Sequence, residues 1–430
     1  MSEIINPISI LRSKLSKSEN KTVFNNFISL FILQLMNYAL PLIILPYLTN
    51  KLGPTNYGKI AWAQYAIQYL IFFTDYGFQF SANRLVSVNR DKPEVINKIF
   101  NAVMCIKFLL MIISYLILFF WMQQSDFDSH DKLILNITYL MVAGAVLMPV
   151  WFYQGMESMK WVTIVNASVK ILLVVAVFLF VKQREDIVIT SWLLAGANFF
   201  IGILTLLIAI RIFKIKLFLP GMKEIIFQFK EGWWVFLSTI FTAIYVTSNG
   251  FLLGEISGNT ALGYYTPAEK IVRAVTSFFN PLMLALYPFI SKKFSENRET
   301  ATTLFFKILK QVSVVTFLIS VILFLMAPLA DNFLGKEYEG SVEVIKWLAF
   351  IPFFGTAGAL LSYHLFLNIG WQKFLPIILV ILALTDIILC YWLIPIYQHK
   401  GAAISLFIIE TAAPIIYLVV YFIFKKRIAR

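Results

Sequence analysis

The sequence predicts an all-α integral membrane protein with about twelve transmembrane helices. Composition and the recurrence of long apolar runs predict this class. Of the 430 residues, 60% are hydrophobic and 14% are charged, and the mean hydropathy is +0.79. A soluble domain is about half apolar and about a quarter charged. Apolar runs of about 20 residues, which cross the hydrocarbon core as helices, recur along the chain. The surface that such a chain presents is therefore suited to lipid.

The apolar runs divide the chain into twelve predicted spans. The eighth span contains Pro267, Pro281 and Pro288 and is expected to be kinked. No long polar stretch interrupts the series. The predicted spans cover residues 22–49, 56–80, 99–121, 132–154, 162–181, 188–212, 231–254, 261–290, 304–330, 344–368, 375–395 and 401–424.

Lysine and arginine are concentrated on one side of the predicted membrane. With the N-terminus placed inside, the inner segments hold 22 of these residues and the outer loops hold 7. Cytoplasmic loops are enriched in basic residues, so both termini are predicted to be cytoplasmic. The net charge of +13 is therefore explained by basic residues that set the orientation in the membrane and contact anionic lipid headgroups. It does not indicate nucleic-acid binding.

The order of the spans predicts two lobes of six helices each. Between the lobes, lysines alternate with isoleucine, leucine and phenylalanine before Pro220-Gly221. This pattern favours an amphipathic helix on the membrane surface over a plain basic loop. The predicted regions are a basic, amphipathic N-terminus, an N-terminal lobe, this linker, a C-terminal lobe and a basic tail, over residues 1–21, 22–212, 213–230, 231–424 and 425–430.

An internal repeat relates the two lobes. Residues 53–65 read GPTNYGKIAWAQY and residues 258–270 read GNTALGYYTPAEK, with glycine, threonine and glycine at matching positions. Both copies lie at the entry to an even-numbered span, so the repeat is parallel. Transporters with such repeats carry substrate between the two lobes by alternating access.

Ionisable residues inside the spans are candidates for a transport pathway, because burying them in a membrane is costly. Spacings of three and four place Lys270, Arg273 and Asn280 on one helix face. Arginine pairs bidentately with phosphate and keeps its charge, so an anionic group such as a pyrophosphate fits Arg273. The candidates for binding the pyrophosphate and glycan are Arg273, Lys270, Lys170, Lys310, Lys107, Gln64, Gln68, Asn280, Tyr245 and Asn249.

The acidic residues inside the spans have two possible roles. They could bind a coupling proton or sodium ion, or they could serve as charge partners of the basic residues. Glu269 lies one turn from Arg273 and could pair with it. The candidates are Asp75, Asp386, Glu410 and Glu269.

Catalytic and metal-binding motifs are not found. Residues 53–59 resemble the start of a phosphate-binding loop, but Ile60 stands where serine or threonine is required. The three histidines are scattered, and no catalytic residues, metal ligands or cofactor sites are predicted apart from H+ or Na+ as a coupling ion. A transporter is therefore expected rather than an enzyme.

Two long stretches resemble one protein family. They read LPLIILPYLTNKLGPTNYGKIAWAQYAIQYLIFFTDYGF (40–78), followed by SANRLVSVNRD (81–91), and GNTALGYYTPAEKIVRAVTSFFNPLMLALYPFIS (258–291). Both are similar to the Wzx-type flippases of O-antigen and polysaccharide units. These flippases belong to the multidrug/oligosaccharidyl-lipid/polysaccharide exporter superfamily. The resemblance extends over nearly the whole chain. Lys270 and Arg273 match its AEKIVRA pattern, and Asp75 is similar to a recurrent acid.

The resemblance implies a MATE-like, V-shaped fold of two six-helix lobes around a cationic cavity. It implies a flippase that moves an undecaprenyl-pyrophosphate-linked oligosaccharide from the cytoplasmic to the periplasmic leaflet of the bacterial cytoplasmic membrane. The oligosaccharide would be an O-antigen or capsule unit, and coupling to an ion is expected. The expected partners are membrane lipids and the polymerase and chain-length regulator of the pathway, and a monomer is expected.

Three other functions stay open at this point. A MATE-like exporter of drugs or metabolites would share the fold, but its site should be acidic, whereas basic residues outnumber acidic ones within the spans. A lipid II flippase would have more spans. A membrane glycosyltransferase or polymerase would need a large outer loop for its chemistry.

Overall fold

The structure is a computed structural model that describes residues 17–425, with side chains from Asn37 onward except at positions 38, 39, 238 and 285. Residues 1–16 of the predicted N-terminal region and residues 426–430 of the predicted tail lie outside the described residues. Nearly all described residues are helical, and none of them lies in a β-strand. The all-helical class is therefore confirmed.

The helices begin and end where the local sequence favours it. Pro93 stands at the first helical position and Glu94 in the first turn, where a missing N–H and a negative charge are both favourable. Asn297 caps a later helix by accepting from the backbone N–H groups of Glu299 at 2.9 Å and Thr300 at 3.1 Å. The α-helices are Lys17–Asp75, Phe78–Val88, Pro93–Gln124, Ser129–Thr138, Leu140–Leu147, Val150–Gly155, Lys160–Phe180, Ile187–Ile212, Met222–Ser277, Asn280–Glu296, Arg298–Met326, Ala330–Leu334, Glu339–Leu348, Ile351–Ala359, Phe374–Tyr397 and His399–Phe424, and Leu360–Phe366 is a π-helix.

All twelve predicted spans fall on mainly helical residues. By length and composition alone, the described chain has 7 helices able to cross a membrane, or up to 9 if each of two bent pairs is one span. The number is lower than twelve partly because Lys17–Asp75 contains the first predicted span and most of the second, and Met222–Ser277 contains the seventh and most of the eighth. The protein is multi-pass, and the count of twelve stays a prediction. The expected kink in the eighth span is a break between Ser277 and Asn280, just before Pro281.

Both long helices break at a glycine of the repeat. Gly53 has φ 73° and ψ 169°, and Gly258 has φ 81° and ψ 176°. Only glycine adopts this region without strain. The two glycines are the first residues of the two repeat copies. The repeat is therefore present in the backbone as well as in the sequence.

The linker between the predicted lobes is helical only in its second part. The helix begins at Met222, and residues 213–221 are irregular apart from a turn at 213–214. Pro220-Gly221 ends the irregular stretch. The Lys216 backbone N–H donates to Asn97 Oδ1 at 2.9 Å, and the Phe218 N–H donates to Asn101 Oδ1 at 3.1 Å. Asn97 and Asn101 thus accept from backbone N–H groups that would otherwise bond within a helix. The helix predicted over 213–230 begins too early.

The chain folds into two compact units, each assembled from separate stretches. Of the described residues, unit 1 comprises 17–40, Leu70–Ala176 and Ser191–Thr239, and unit 2 comprises Pro41–Tyr69, Val177–Thr190 and 240–425. In unit 1, Tyr76 stacks on Phe229 and Phe236 with ring centroids 4.5 and 4.6 Å away. In unit 2, a buried cluster of side chains that includes Phe305, Leu365 and Phe366 forms a core. The division into two six-helix lobes stays a prediction.

Candidate functional site

Glu269 holds the guanidinium of Arg273 in unit 2, and Tyr65 in turn holds Glu269. The Arg273 Nε donates to Glu269 Oε1, one helical turn earlier, at 2.6 Å. The Tyr65 hydroxyl donates to the other oxygen of the same carboxylate. Glu269 is buried, whereas 39% of the Arg273 side chain is exposed. Within the part of the chain that the structure describes, the terminal Nη1 and Nη2 make no hydrogen bond, so this fork is available to an anion that binds bidentately.

Lys270 lies three residues before Arg273 and contacts an aromatic ring. Its Nζ donates to the Tyr57 hydroxyl at 3.0 Å and lies 5.2 Å from the centroid of the same ring. Both contacts keep the ammonium group within unit 2 while leaving donors for a second partner. The two basic residues of the AEKIVRA stretch are thus each fixed by a tyrosine from residues 41–69, directly in one case and through Glu269 in the other.

A second carboxylate lies near Arg273. The Tyr245 hydroxyl donates to Glu410, and Arg273 interacts electrostatically with the same carboxylate. Gly355 makes room for Glu410, since a methyl group on Gly355 would lie 3.2 Å from Oε2. Arg273 therefore lies in the field of Glu269 and Glu410 together. The predicted cationic site is partly neutralised by its own carboxylates.

A cluster of buried polar side chains surrounds the carboxylate of Asp386, which is 1% exposed. Asn249 Nδ2 donates to Oδ2 at 2.7 Å, and the Ser405 hydroxyl donates to Oδ1 at 2.7 Å. The Cys390 thiol donates to Asn249 Oδ1 at 3.2 Å. Among the described residues, no lysine or arginine forms an ion pair with Asp386. A carboxylate this deeply buried without a basic partner is expected either to carry a proton or to hold a cation.

Unit 1 contains a separate pair of predicted site residues. Lys107 Nζ lies 3.4 Å from Asp75 Oδ1 and 3.2 Å from the Ala145 carbonyl oxygen. The Lys107 side chain is 3% exposed and that of Asp75 is 30% exposed. This geometry supports the charge-partner role for Asp75. It also gives Lys107 a partner that is already in place.

The remaining candidates do not join one of these clusters. In unit 1, Lys170 donates to Asn37 Oδ1 at 2.5 Å. In unit 2, Lys310 is exposed on the helix Arg298–Met326, while Gln64, Gln68 and Asn280 are half-buried. The predicted site residues thus form an Arg273 group and an Asp386 group in unit 2, and a Lys107 pair in unit 1.

Sequence reasoning missed the tyrosines and the serine that complete these groups. Tyr65 and Tyr57 orient the basic pair, and Ser405 completes the Asp386 cluster. The repeat offset of 205 residues places Tyr65 opposite Lys270, and this correspondence could have identified Tyr65. No comparable pattern in the sequence marks Ser405.

Comparison with known proteins places the chain in a family. Residues 23–294 match the family described as "Polysaccharide biosynthesis protein". A protein of Escherichia coli (strain K12) named "Putative O-antigen transporter" is 30% identical over 390 residues, covering 90% of this chain and 93% of that protein. A protein of the same name from Shigella dysenteriae is 27% identical, covering 93% of this chain and 98% of that protein.

Solved structures of transporters share the fold. A multidrug resistance MATE family transporter of the MOP superfamily in an inward-facing conformation has a TM-score of 0.72 at 15% identity, over 94% of this chain and 98% of that chain. The lipid II flippase MurJ in an inward closed conformation has a TM-score of 0.63 at 17% identity, over 92% and 87%. The expectation of a MATE-like fold is confirmed. The match over residues 23–294 and the 30% identical relative show that the chain belongs to the polysaccharide biosynthesis protein family, as its resemblance to polysaccharide-unit flippases implies.

Proposed function

We propose that this protein is a membrane transporter that flips an undecaprenyl-pyrophosphate-linked oligosaccharide from the cytoplasmic to the periplasmic leaflet. The observation that carries the proposal is the Arg273 fork: Glu269, itself held by the Tyr65 hydroxyl, accepts from Nε, while Nη1 and Nη2 stay available. A pyrophosphate presents paired oxygens that match such a fork. Lys270 adds a second cation one turn away.

The sugar part of the substrate is assigned from the family and from the polar groups of unit 2. The E. coli and Shigella dysenteriae relatives carry the name O-antigen transporter. Tyr245, Asn280, Gln64 and Gln68 are half-buried and supply donors and acceptors of the kind that bind sugar hydroxyls. An O-antigen or capsule unit is therefore the proposed cargo, and no covalent chemistry is proposed.

Ion coupling is assigned to the Asp386 group. Its Oδ2 accepts from Asn249 and its Oδ1 from Ser405, and both oxygens retain further lone pairs. Hard cations such as Na+ and protons both bind carboxylate oxygen. Because Asp386, Glu410 and Arg273 lie in one unit, a cation that neutralises a carboxylate there would change the balance of charge around Arg273.

Export in a cell tests the Arg273 assignment. In a strain that lacks the gene and its surface polysaccharide, Arg273→Ala should restore about tenfold to a hundredfold less polysaccharide than wild type, because a charged hydrogen bond contributes about 1.5–3 kcal/mol. Arg273→Lys should restore an intermediate amount, since it keeps the charge but loses the fork. Arg298→Ala, at an exposed position, is the matched control and should export normally. Full export by Arg273→Ala at equal protein level would refute the assignment.

A drug exporter is the second candidate. The observation that favours it is that unit 2 holds three carboxylates, with Glu269 and Glu410 near Arg273 and Asp386 in a group of its own, and carboxylates are what a site for cationic substrates would require. Overexpression decides between the two functions. Raised resistance to cationic drugs without any rescue of polysaccharide export would replace the flippase assignment.

A further inference from the structure

The two copies of the repeat meet each other inside unit 2. The hydroxyls of Thr55 and Thr260 lie 2.9 Å apart, and these residues are separated by 205 positions, the repeat offset itself. They are therefore equivalent members of the two copies in contact with one another. Contact between equivalent residues is typical of two copies related by a local two-fold axis, which also makes the neighbouring contacts reciprocal.

The neighbouring contacts obey the same symmetry. A methyl group on Gly58 would overlap the carbonyl oxygen of Asn259, and a methyl group on Gly263 would overlap that of Pro54. Gly58 corresponds to Gly263, and Pro54 corresponds to Asn259, by the offset of 205. Each glycine thus lets one copy approach the backbone of the other. The reciprocal pair defines a seam of residues 54–58 and 259–263, which we call the glycine seam.

An ion pair and two hydrogen bonds surround this seam. Arg184, from the stretch Val177–Thr190, forms an ion pair with Glu337, and the Asn56 side chain donates to the Arg184 carbonyl oxygen at 2.8 Å. Trp62 Nε1 donates to Glu255 Oε1 at 2.9 Å further along the same two helices. The Arg184 and Glu337 side chains are 58% and 53% exposed, so their pair alone adds little stability. The close backbone approach at Gly58 and Gly263 is therefore the contact that defines the seam.

We propose that the glycine seam is a latch that closes the substrate route at the outer end and must part in every transport cycle. It joins the first copy of the repeat, in the predicted N-terminal lobe, to the second, in the predicted C-terminal lobe. In the predicted orientation both copies lie at the outer ends of their spans. Substrate that leaves between the lobes on that side has to separate the two helical segments of the seam. The role of the latch rests on the proposed transport function. The existence of the glycine seam rests on the contacts alone.

A reversible cross-link tests the latch. Thr55 and Thr260 are exposed, and their hydroxyl oxygens lie 2.9 Å apart. Cysteines at these positions need only a modest adjustment to reach the S–S bond length of about 2.05 Å. The variant carrying Thr55→Cys and Thr260→Cys should form a disulfide on oxidation with copper phenanthroline in membranes. Polysaccharide export should then fall to background and return on reduction with dithiothreitol. The single variants Thr55→Cys and Thr260→Cys, treated identically, should export at the same rate before and after oxidation.

Two outcomes overturn the latch while leaving the flippase assignment intact. If no disulfide forms, the seam does not exist in the membrane, and if the cross-linked protein exports at the uncross-linked rate, the seam does not part. If wild type exports no polysaccharide, the transport assignment fails.

The latch is then tested by measuring the distance between two spin labels attached to the same two cysteines. A second population with a longer distance between the labels supports opening, and a single short distance refutes it.

Discussion

At the scale of single residues, the structure distinguishes two kinds of charged side chain. Some are paired with a partner inside the protein, and others keep hydrogen-bond donors for a ligand. Lys107 is nearly inaccessible and is bound by Asp75 and a backbone carbonyl. Arg273 uses Nε for Glu269, and its other two nitrogens make no hydrogen bond to the residues that the structure describes. Burial of an ion costs several kcal/mol unless a partner compensates it, so the first arrangement is structural in character and the second suits ligand binding.

The Lys107 pair gives a prediction about stability. Asp75→Asn leaves a buried ammonium without its counter-ion and should destabilise the protein by about 3–5 kcal/mol. Lys107→Met leaves only the more exposed Asp75 without its partner and should cost less. The double variant Asp75→Asn, Lys107→Met should recover most of the loss, because no unpaired charge remains.

Thermal unfolding in detergent measures these differences as shifts in Tm. Polysaccharide export by the double variant gives the second readout. Near-normal export would assign the pair to structure. Loss of export in a double variant that unfolds at the wild-type temperature would return Lys107 to the substrate site, where the sequence had placed it.

At the scale of helices, the sequence predicted most of the spans because lipid imposes length and hydropathy on each of them. It predicted kinks in the eighth span from Pro267, Pro281 and Pro288, of which only Pro281 lies beside the break, and it predicted the repeat from its glycines. It could not show that the linker starts as an irregular segment. That outcome depends on Asn97 and Asn101, which lie far away in sequence and accept from its backbone.

The glycine seam gives a prediction at this scale. In an ordinary helix, Gly→Ala stabilises by up to about 1 kcal/mol. At Gly58 and at Gly263 the added methyl would overlap a backbone carbonyl of the other copy, so each substitution should instead prevent closure. Export should fall by at least about tenfold in both variants and to a similar extent, since the contacts are reciprocal.

Gly196→Ala provides the control, because a methyl group there would have nothing within 4 Å. It should export normally and unfold at the wild-type temperature or slightly above. Export assays in the complemented deletion strain compare the three variants at equal protein level. Normal export by both seam variants would show that the close approach is not needed for transport.

At the scale of the whole molecule, fold and family were accessible from the sequence, and the grouping of the site was only partly so. Depth in a span predicted that Arg273 and Lys270 matter, and the resemblance predicted their ligand. Which acid pairs with which base depends on contacts between distant segments, such as Tyr65 with Glu269 or Ser405 with Asp386. Span charges alone therefore suggested a more cationic site than the one that unit 2 contains.

The central claim is that Arg273 holds a pyrophosphate while the protein moves the attached sugar across the membrane. The most direct test uses liposomes that contain the purified protein and an undecaprenyl-pyrophosphate oligosaccharide. An impermeant glycosidase outside reports how fast the sugar appears in the outer leaflet. Wild type should expose it rapidly, Arg298→Ala should match wild type, and Arg273→Ala should be about tenfold to a hundredfold slower.

The same liposomes test coupling when a proton or sodium gradient is imposed. The gradient should accelerate exposure by wild type, and Asp386→Asn should remove the acceleration while leaving the protein folded. Together, rapid exposure that requires Arg273 and a gradient effect that requires Asp386 are the predicted result. Equal exposure by wild type, Arg273→Ala and empty liposomes would contradict the account.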